Sequence, residues 1–339
     1  MGWSHRKSAG TGPGTGCCPR GWANSPPSSP ESPEPARCGG GSGREIVNSA
    51  ATPDAATGRG DAAGGRVRVL AHNGGMSLPP DSATAALSES SAAYPGCPVT
   101  VVEAEARGVP LRVPRWGIGS ALITVFGALV LGLLAAAPLL ILGAPLAITA
   151  IVGTLVPWLS LAGWPLFVTW WKGNGPRIDL GLRLTWSDVG WGALAGFTGL
   201  FLAGIIALIT QAIAGDFSSA AGDVALDLQQ SGPFWALAIF AVMIMVGAPI
   251  VEEIAFRGML FNSLRKKGVG AVWTIIITAV VFSAFHFEPI RFFLLLPIGL
   301  VYGWVRWKTG SLGAAMVAHG VNNAPAALVV LIGVPEVTP

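Results

Sequence analysis

From Trp116 onward the chain alternates long apolar runs with short polar joints; before it no apolar run is long enough to bury a core. A helix crosses a bilayer with about 20 apolar residues. Seven segments meet that description, roughly 118–142, 146–171, 191–214, 234–262, 271–288, 290–307 and 311–333. Only Gly143, Ala144 and Pro145 separate the first two. Residues 1–115 are rich in Gly, Pro, Ser and Ala, as in "NSPPSSPESPEPARCGGGSG", and such a tail is expected to stay disordered. The pattern therefore predicts an all-α fold, a polytopic membrane helix bundle of about seven transmembrane helices. It occupies 116–335, follows a low-complexity tail, and has its functional core at about 234–330. No apolar stretch follows the early basic residues, so no signal peptide is read there. Arg6 breaks the myristoylation pattern, and Met76 is a second candidate initiator.

Composition supports the membrane assignment. Hydrophobic residues make up 52% and charged residues 12% of the 339, against about 25% charged in soluble domains. The net charge is +3, and no basic cluster is interleaved with aromatics, so nucleic acid is not an expected partner. The four cysteines precede the first span and lack the paired spacing of a zinc site. Arg107, Arg112 and Arg115 precede the first span, and Lys172, Arg177 and Arg183 follow the second. Arg265, Lys266 and Lys267 follow the fourth, and Arg306 and Lys308 the sixth. The loop after the third carries Asp216, Asp223 and Asp227 and no basic residue. The alternation predicts a multi-pass protein of the cell membrane with a cytoplasmic N-terminus, Arg291 being the misfit. Trp residues near the span ends, Trp170, Trp191 and Trp304 among them, fit an interfacial belt.

Three segments carry polar groups that lipid does not tolerate. The fourth contains "GAPIVEEIAFRGMLF", with Glu252, Glu253 and Arg257; the fifth has Phe282 and His286; the seventh has His319, Asn322 and Asn323. Ionisable residues inside a membrane generally face the bundle interior and mark function. Around a turn near Gly268, Glu252 and His286 stand about 24 and 27 Å from the tip, at 1.5 Å per residue, and so at nearly the same depth. His319 and Asn323, four apart, share a helix face. Pro249 removes a backbone hydrogen bond one turn before the glutamates and is expected to bend the helix there. A carboxylate, two imidazoles and a carboxamide around one point suit water activation: Glu252, aided by His286, as base, and His319 with Asn323 as donors to an oxyanion. A second version puts a divalent metal such as zinc between Glu252, His286 and His319, although H-E-x-x-H is absent. Nucleophilic catalysis has little support, since neither Ser283 nor Ser311 sits in a G-x-S-x-G elbow.

The motifs E-E-x-x-x-R (Glu252, Glu253, Arg257), F-x-x-x-H (Phe282, His286) and H-x-x-x-N (His319, Asn323) resemble those of the CPBP family. That family comprises the type II CAAX prenyl proteases, the bacteriocin-processing and immunity proteins and the lysostaphin-resistance-like proteins. The resemblance covers about 180–330. It implies an intramembrane endopeptidase acting on a membrane-associated peptide or protein. Glu252 and His286 then match the water-activating pair, His319 and Asn323 the oxyanion site, and Glu253 and Arg257 supporting positions. Read without the resemblance, Glu253 and Arg257 are spaced as a structural ion pair, Phe282 is a pocket wall and Asn322 a packing residue. Two other functions fit an intramembrane Glu/His set: a proton-coupled transporter and a non-catalytic scaffold. Residues 118–214 hold no second copy of the polar set, as a transporter built from repeats would. A scaffold has no need to keep all of the set.

Overall fold

A computed structural model describes residues 98–332, and among these there is no strand. The elements are α1 (Val99–Ala106), α2 (Ile118–Ile141), α3 (Leu146–Lys172), α4 (Pro176–Leu180), α5 (Trp186–Ala214), α6 (Ala220–Ser231), α7 (Phe234–Lys266), α8 (Ala271–Phe285), α9 (Pro289–Thr309) and α10 (Leu312–Ile332). The all-α membrane bundle is thus borne out. Among the described residues six helices, α2, α3, α5, α7, α9 and α10, are long and apolar enough to cross a membrane.

Two expectations need correction. The segment 271–288 is no seventh span of full length: α8 has 15 residues, about 22 Å at 1.5 Å per residue, short of a hydrocarbon core of about 30 Å. It stops because Pro289 holds Glu288 extended, and Phe287 takes a left-handed φ of 54°. The boundary at 115 also lies too far along. Residues 98–115, assigned above to the tail, include α1, whose Val99 N–H donates to Gly310 O (3.0 Å) and whose Thr100 hydroxyl donates to Ile178 O (2.9 Å). The rest of the expected tail lies outside the described residues.

Local chemistry accounts for the helix ends. α5 begins before the expected residue 191 because Thr185 and Asp188 form a capping box, each side chain accepting from the other's backbone N–H. α9 ends at Gly310, whose φ of 64° suits a residue without Cβ.

The helices that frame the site meet through small residues. On α5, a Cβ at Gly192 would lie 2.6 Å from Ala314 O, and one at Gly196 2.7 Å from Ala318 O. Small residues let membrane helices approach backbone to backbone, where dispersion replaces the missing hydrophobic drive. This clamps α10, with His319, against α5.

α7 is not a uniform helix. Two π-helical stretches, Met243–Gly247 and Ile254–Leu260, flank the α-helical turns Ala248–Glu253 that carry the glutamates. In the first, the Ala248 N–H reaches back to Met243 O. In that register Ile244 O would be met by the N–H of residue 249, and Pro249 has none. Pro249 thus follows a widened turn.

Replacing Gly196 with Leu is expected to lower the thermal unfolding midpoint of the detergent-solubilised protein, at a cost of about 1–3 kcal/mol for overpacking. Gly204→Leu on the same helix, where a Cβ meets nothing within 4 Å, should leave it unchanged.

Candidate active site

α7, α8, α9 and α10 deliver the polar residues to one place. Glu253 and Arg257, both fully buried, form the ion pair that their spacing predicts, with Arg257 Nη1 donating to Glu253 Oε1 at 2.9 Å. Nη2 of the same guanidinium donates to Gly299 O on α9, also at 2.9 Å. The plane of the guanidinium is held by rings, its Cζ lying 4.6 Å from the centroid of Phe282 and 5.2 Å from that of Tyr302.

His319 lies on the other side of Glu253, its Nδ1 3.0 Å from Oε1. A carboxylate only accepts, so Nδ1 carries the proton and Nε2 of a neutral ring keeps its lone pair. Nε2 is 3.9 Å from Glu252 Oε2, too far for a direct hydrogen bond and close enough for one water to touch both. Tyr302 stacks on the imidazole at 4.9 Å and 26°, and Phe282 meets it edge-on at 5.7 Å.

Glu252, one residue from the fully buried Glu253, keeps 17% of its side chain exposed. Its Oε2 is out of reach of surrounding space and has no hydrogen-bond partner. His286 caps α8 and its ring touches Phe282 at 5.0 Å, so Phe282 contacts both imidazoles. His286 Nδ1 donates to Phe282 O at 2.9 Å, since that carbonyl only accepts. Nε2 is thereby left as the basic atom. No hydrogen bond joins His286 to Glu252; the imidazole facing Glu252 directly is that of His319. Asn323 donates from Nδ2 to Ile244 O at 3.0 Å, the carbonyl that the π register and Pro249 leave over. One of its two N–H groups is therefore committed to the fold.

Two further side chains escaped the sequence reading. Tyr302 is fully buried, and its polarity within an apolar span, three residues after Gly299, was the available signal. Arg306 was counted above with the loop charges that set topology. Only 1% of it is exposed. Its Nε donates to Arg257 O (3.2 Å), and its Nη2 to Leu180 O (3.3 Å) and Asn262 Oδ1 (3.2 Å). The Phe261 N–H goes to Phe256 O and Gly258 O, passing over Arg257 O, and Arg306 supplies a donor there.

The expected metal ligand set of Glu252, His286 and His319 is not gathered. Among the described residues no three His, Cys, Asp or Glu side chains are grouped to hold a metal ion. Glu252 Oε2 and His319 Nε2 instead face each other across 3.9 Å.

Fold and site together define a membrane protein of multiple apolar helices with a charged cluster inside the bundle. Residues 233–325 match the model of the family described as "Type II CAAX prenyl endopeptidase Rce1-like", which bears out the resemblance over the segment holding every motif residue. A Bacillus subtilis (strain 168) protein named "Putative membrane peptidase YdiL" is 26% identical over 159 residues, covering 44% of this chain and 57% of the relative. The chain thus matches little more than half of that relative's length. No solved structure matches at a comparable level.

Glu253→Gln is expected to destabilise the protein by about 3 kcal/mol, because it leaves the buried Arg257 guanidinium without its counter-charge. Thermal unfolding in detergent measures this, and Glu252→Gln should unfold close to wild type.

Proposed function

We propose that this chain is an intramembrane endopeptidase that hydrolyses a peptide bond in a membrane-associated peptide or protein. The match over 233–325 to a type II CAAX endopeptidase family and the similarity to a protein named as a membrane peptidase support the reaction class. A prenylated C-terminal peptide is the substrate class that the family description suggests.

The single observation that carries the mechanism is Glu252 Oε2, buried without a partner and 3.9 Å from His319 Nε2. Two acceptors at that separation suit one water. In the proposed reaction Glu252 takes a proton as the water oxygen attacks the substrate carbonyl carbon. His286, with its Nε2 lone pair, is a further acceptor, its ring against the same Phe282 that meets His319. The second proton of the water passes to His319 Nε2, backed by Glu253, and from there is donated to the oxyanion; the remaining N–H of Asn323 lies on the same helix face. Collapse of the tetrahedral intermediate breaks the C–N bond, and the proton held by Glu252 passes to the leaving amine. Arg257 holds Glu253 in place, and Glu253 keeps the His319 tautomer. We place the basic helix ends, and with them the N-terminus, on the cytoplasmic side.

Comparison of membrane peptides from cells carrying wild type or Glu252→Gln tests the reading. A cleaved terminus present in wild type and lost in the variant is expected, with cleavage reduced at least about 100-fold for loss of a general base. Undiminished cleavage by Glu252→Gln would overturn it. Once a substrate is in hand, the purified enzyme should keep its activity after exhaustive chelation, because Glu252 and His319 face each other as two acceptors with no group of three metal-ligating side chains among the described residues.

A further inference from the structure

α9 has two faces. Gly299, Tyr302 and Arg306 look into the charged site, whereas Leu300, Val301, Trp304 and Lys308 lie on the opposite side. There α9 and α5 leave a groove of about 440 Å³ lined by Leu194, Ala195, Thr198, Leu300, Val301 and Trp304. Its one side-chain hydroxyl is turned away, with Thr198 Oγ1 donating to Leu194 O at 2.8 Å on its own helix. The walls therefore offer a ligand dispersion contacts alone.

One end of the groove is built differently. Trp304 meets Trp191 edge-on at 6.2 Å and 70°, and Lys308 Nζ sits 4.8 Å from the Trp191 ring centroid. Contact with a ring face holds the ammonium at the mouth of the groove. Lys308 is exposed, and it makes no ion pair among the described residues. Lys308 stands in the last turn of a membrane span, at headgroup depth, eight residues or about 12 Å of helix from Leu300. An unpaired cation at the membrane edge, continuous with a dry slot running inward, is complementary to an amphiphile with an anionic head and a hydrocarbon tail.

We propose that this groove binds one anionic phospholipid, its acyl chain seated between α5 and α9 and its phosphate on Lys308 beside Trp191 and Trp304. Basic pockets between membrane helices recognise lipid headgroups in this manner. A neutral lipid would leave the ammonium uncompensated. A peptide substrate would find no backbone partner along these walls, and the face is turned away from Glu252 and His319. The proposal is independent of the proteolytic reading.

Native mass spectrometry of the full chain in mild detergent, given equal amounts of phosphatidylglycerol and phosphatidylcholine, tests it. The wild type should retain one phosphatidylglycerol about fivefold in preference to phosphatidylcholine, the worth of one basic side chain at an anionic lipid surface. Lys308→Gln should erase the preference while still retaining lipid. Thr198→Phe, at an exposed position that fills the groove, should lose both lipids, and Thr198→Ala should keep them. Equal retention of the two lipids by wild type, or an undiminished preference in Lys308→Gln, would overturn the headgroup contact. Unchanged retention in Thr198→Phe would overturn the groove. Displacement of the lipid by millimolar inorganic phosphate would show a simple anion site and overturn the proposal as well.

Discussion

Glu253 Oε1 receives two hydrogen bonds, from Arg257 at 2.9 Å and from His319 at 3.0 Å, at a point with no access to water. Withdrawing a carboxylate and a guanidinium from solvent costs several kcal/mol for each ion, and surrounding hydrocarbon returns none of it. The pair persists because most of its polar atoms are met by protein groups, Glu253 Oε2 and Arg257 Nε being the exceptions. Arg257 is shared with Gly299 O and lies against Phe282 and Tyr302, and His319 is stacked on the same tyrosine. The ion pair thus registers α7 against α9 through the Arg257 bond to Gly299 O, and against α10 through the Glu253 bond to His319.

The same economy governs the backbone. π-helical turns shift hydrogen bonds by one residue and expose carbonyls that an α-helix would satisfy. In a bilayer such a carbonyl needs a partner from the protein. Ile244 O is met by Asn323, and Arg257 O by Arg306. The two irregular turns on either side of the glutamates are therefore anchored by side chains from α10 and α9. Asn323 and Arg306 determine where the glutamates stand, whatever else they do.

Span positions were legible in the sequence because apolar length is a direct demand of the bilayer; α2, α3 and α10 fall within two residues of the segments read from the pattern. The i,i+4 pairing of Glu253 and Arg257 was equally direct. The misses have separate physical causes. A count of 1.5 Å per residue gives depth, whereas partner choice depends on azimuth, and each π turn adds a residue that rotates the following face by roughly 100°. Depth put Glu252 level with His286, and Phe256 does lie against both Phe282 and Phe285 across the two helices, at 5.5 and 5.6 Å. The imidazole facing Glu252 is nonetheless that of His319. Arg306 was misread because the positive-inside rule treats a terminal arginine as a loop charge, while a long side chain can turn inward wherever bare carbonyls await it. The end of α8 was set too late because Phe285 and Phe287 prolong the apolar run past the point where Pro289 constrains the backbone.

Adjacent glutamates in a regular helix point about 100° apart, and that angle separates two tasks here. Glu253 turns into the bundle, where its charge is consumed by Arg257 and His319. Glu252 turns toward the margin of the same cluster, where one oxygen has no partner and a facing imidazole nitrogen carries a lone pair. Were neither carboxylate paired, the bundle would hold two uncompensated charges. An E-E pair with one arginine gives one carboxylate fixed by structure and one that the arginine does not engage. Because the fixed group also holds His319 by Nδ1, the ring that faces Glu252 is oriented by the neighbouring ion pair, and in the mechanism proposed above the two glutamates are coupled through it.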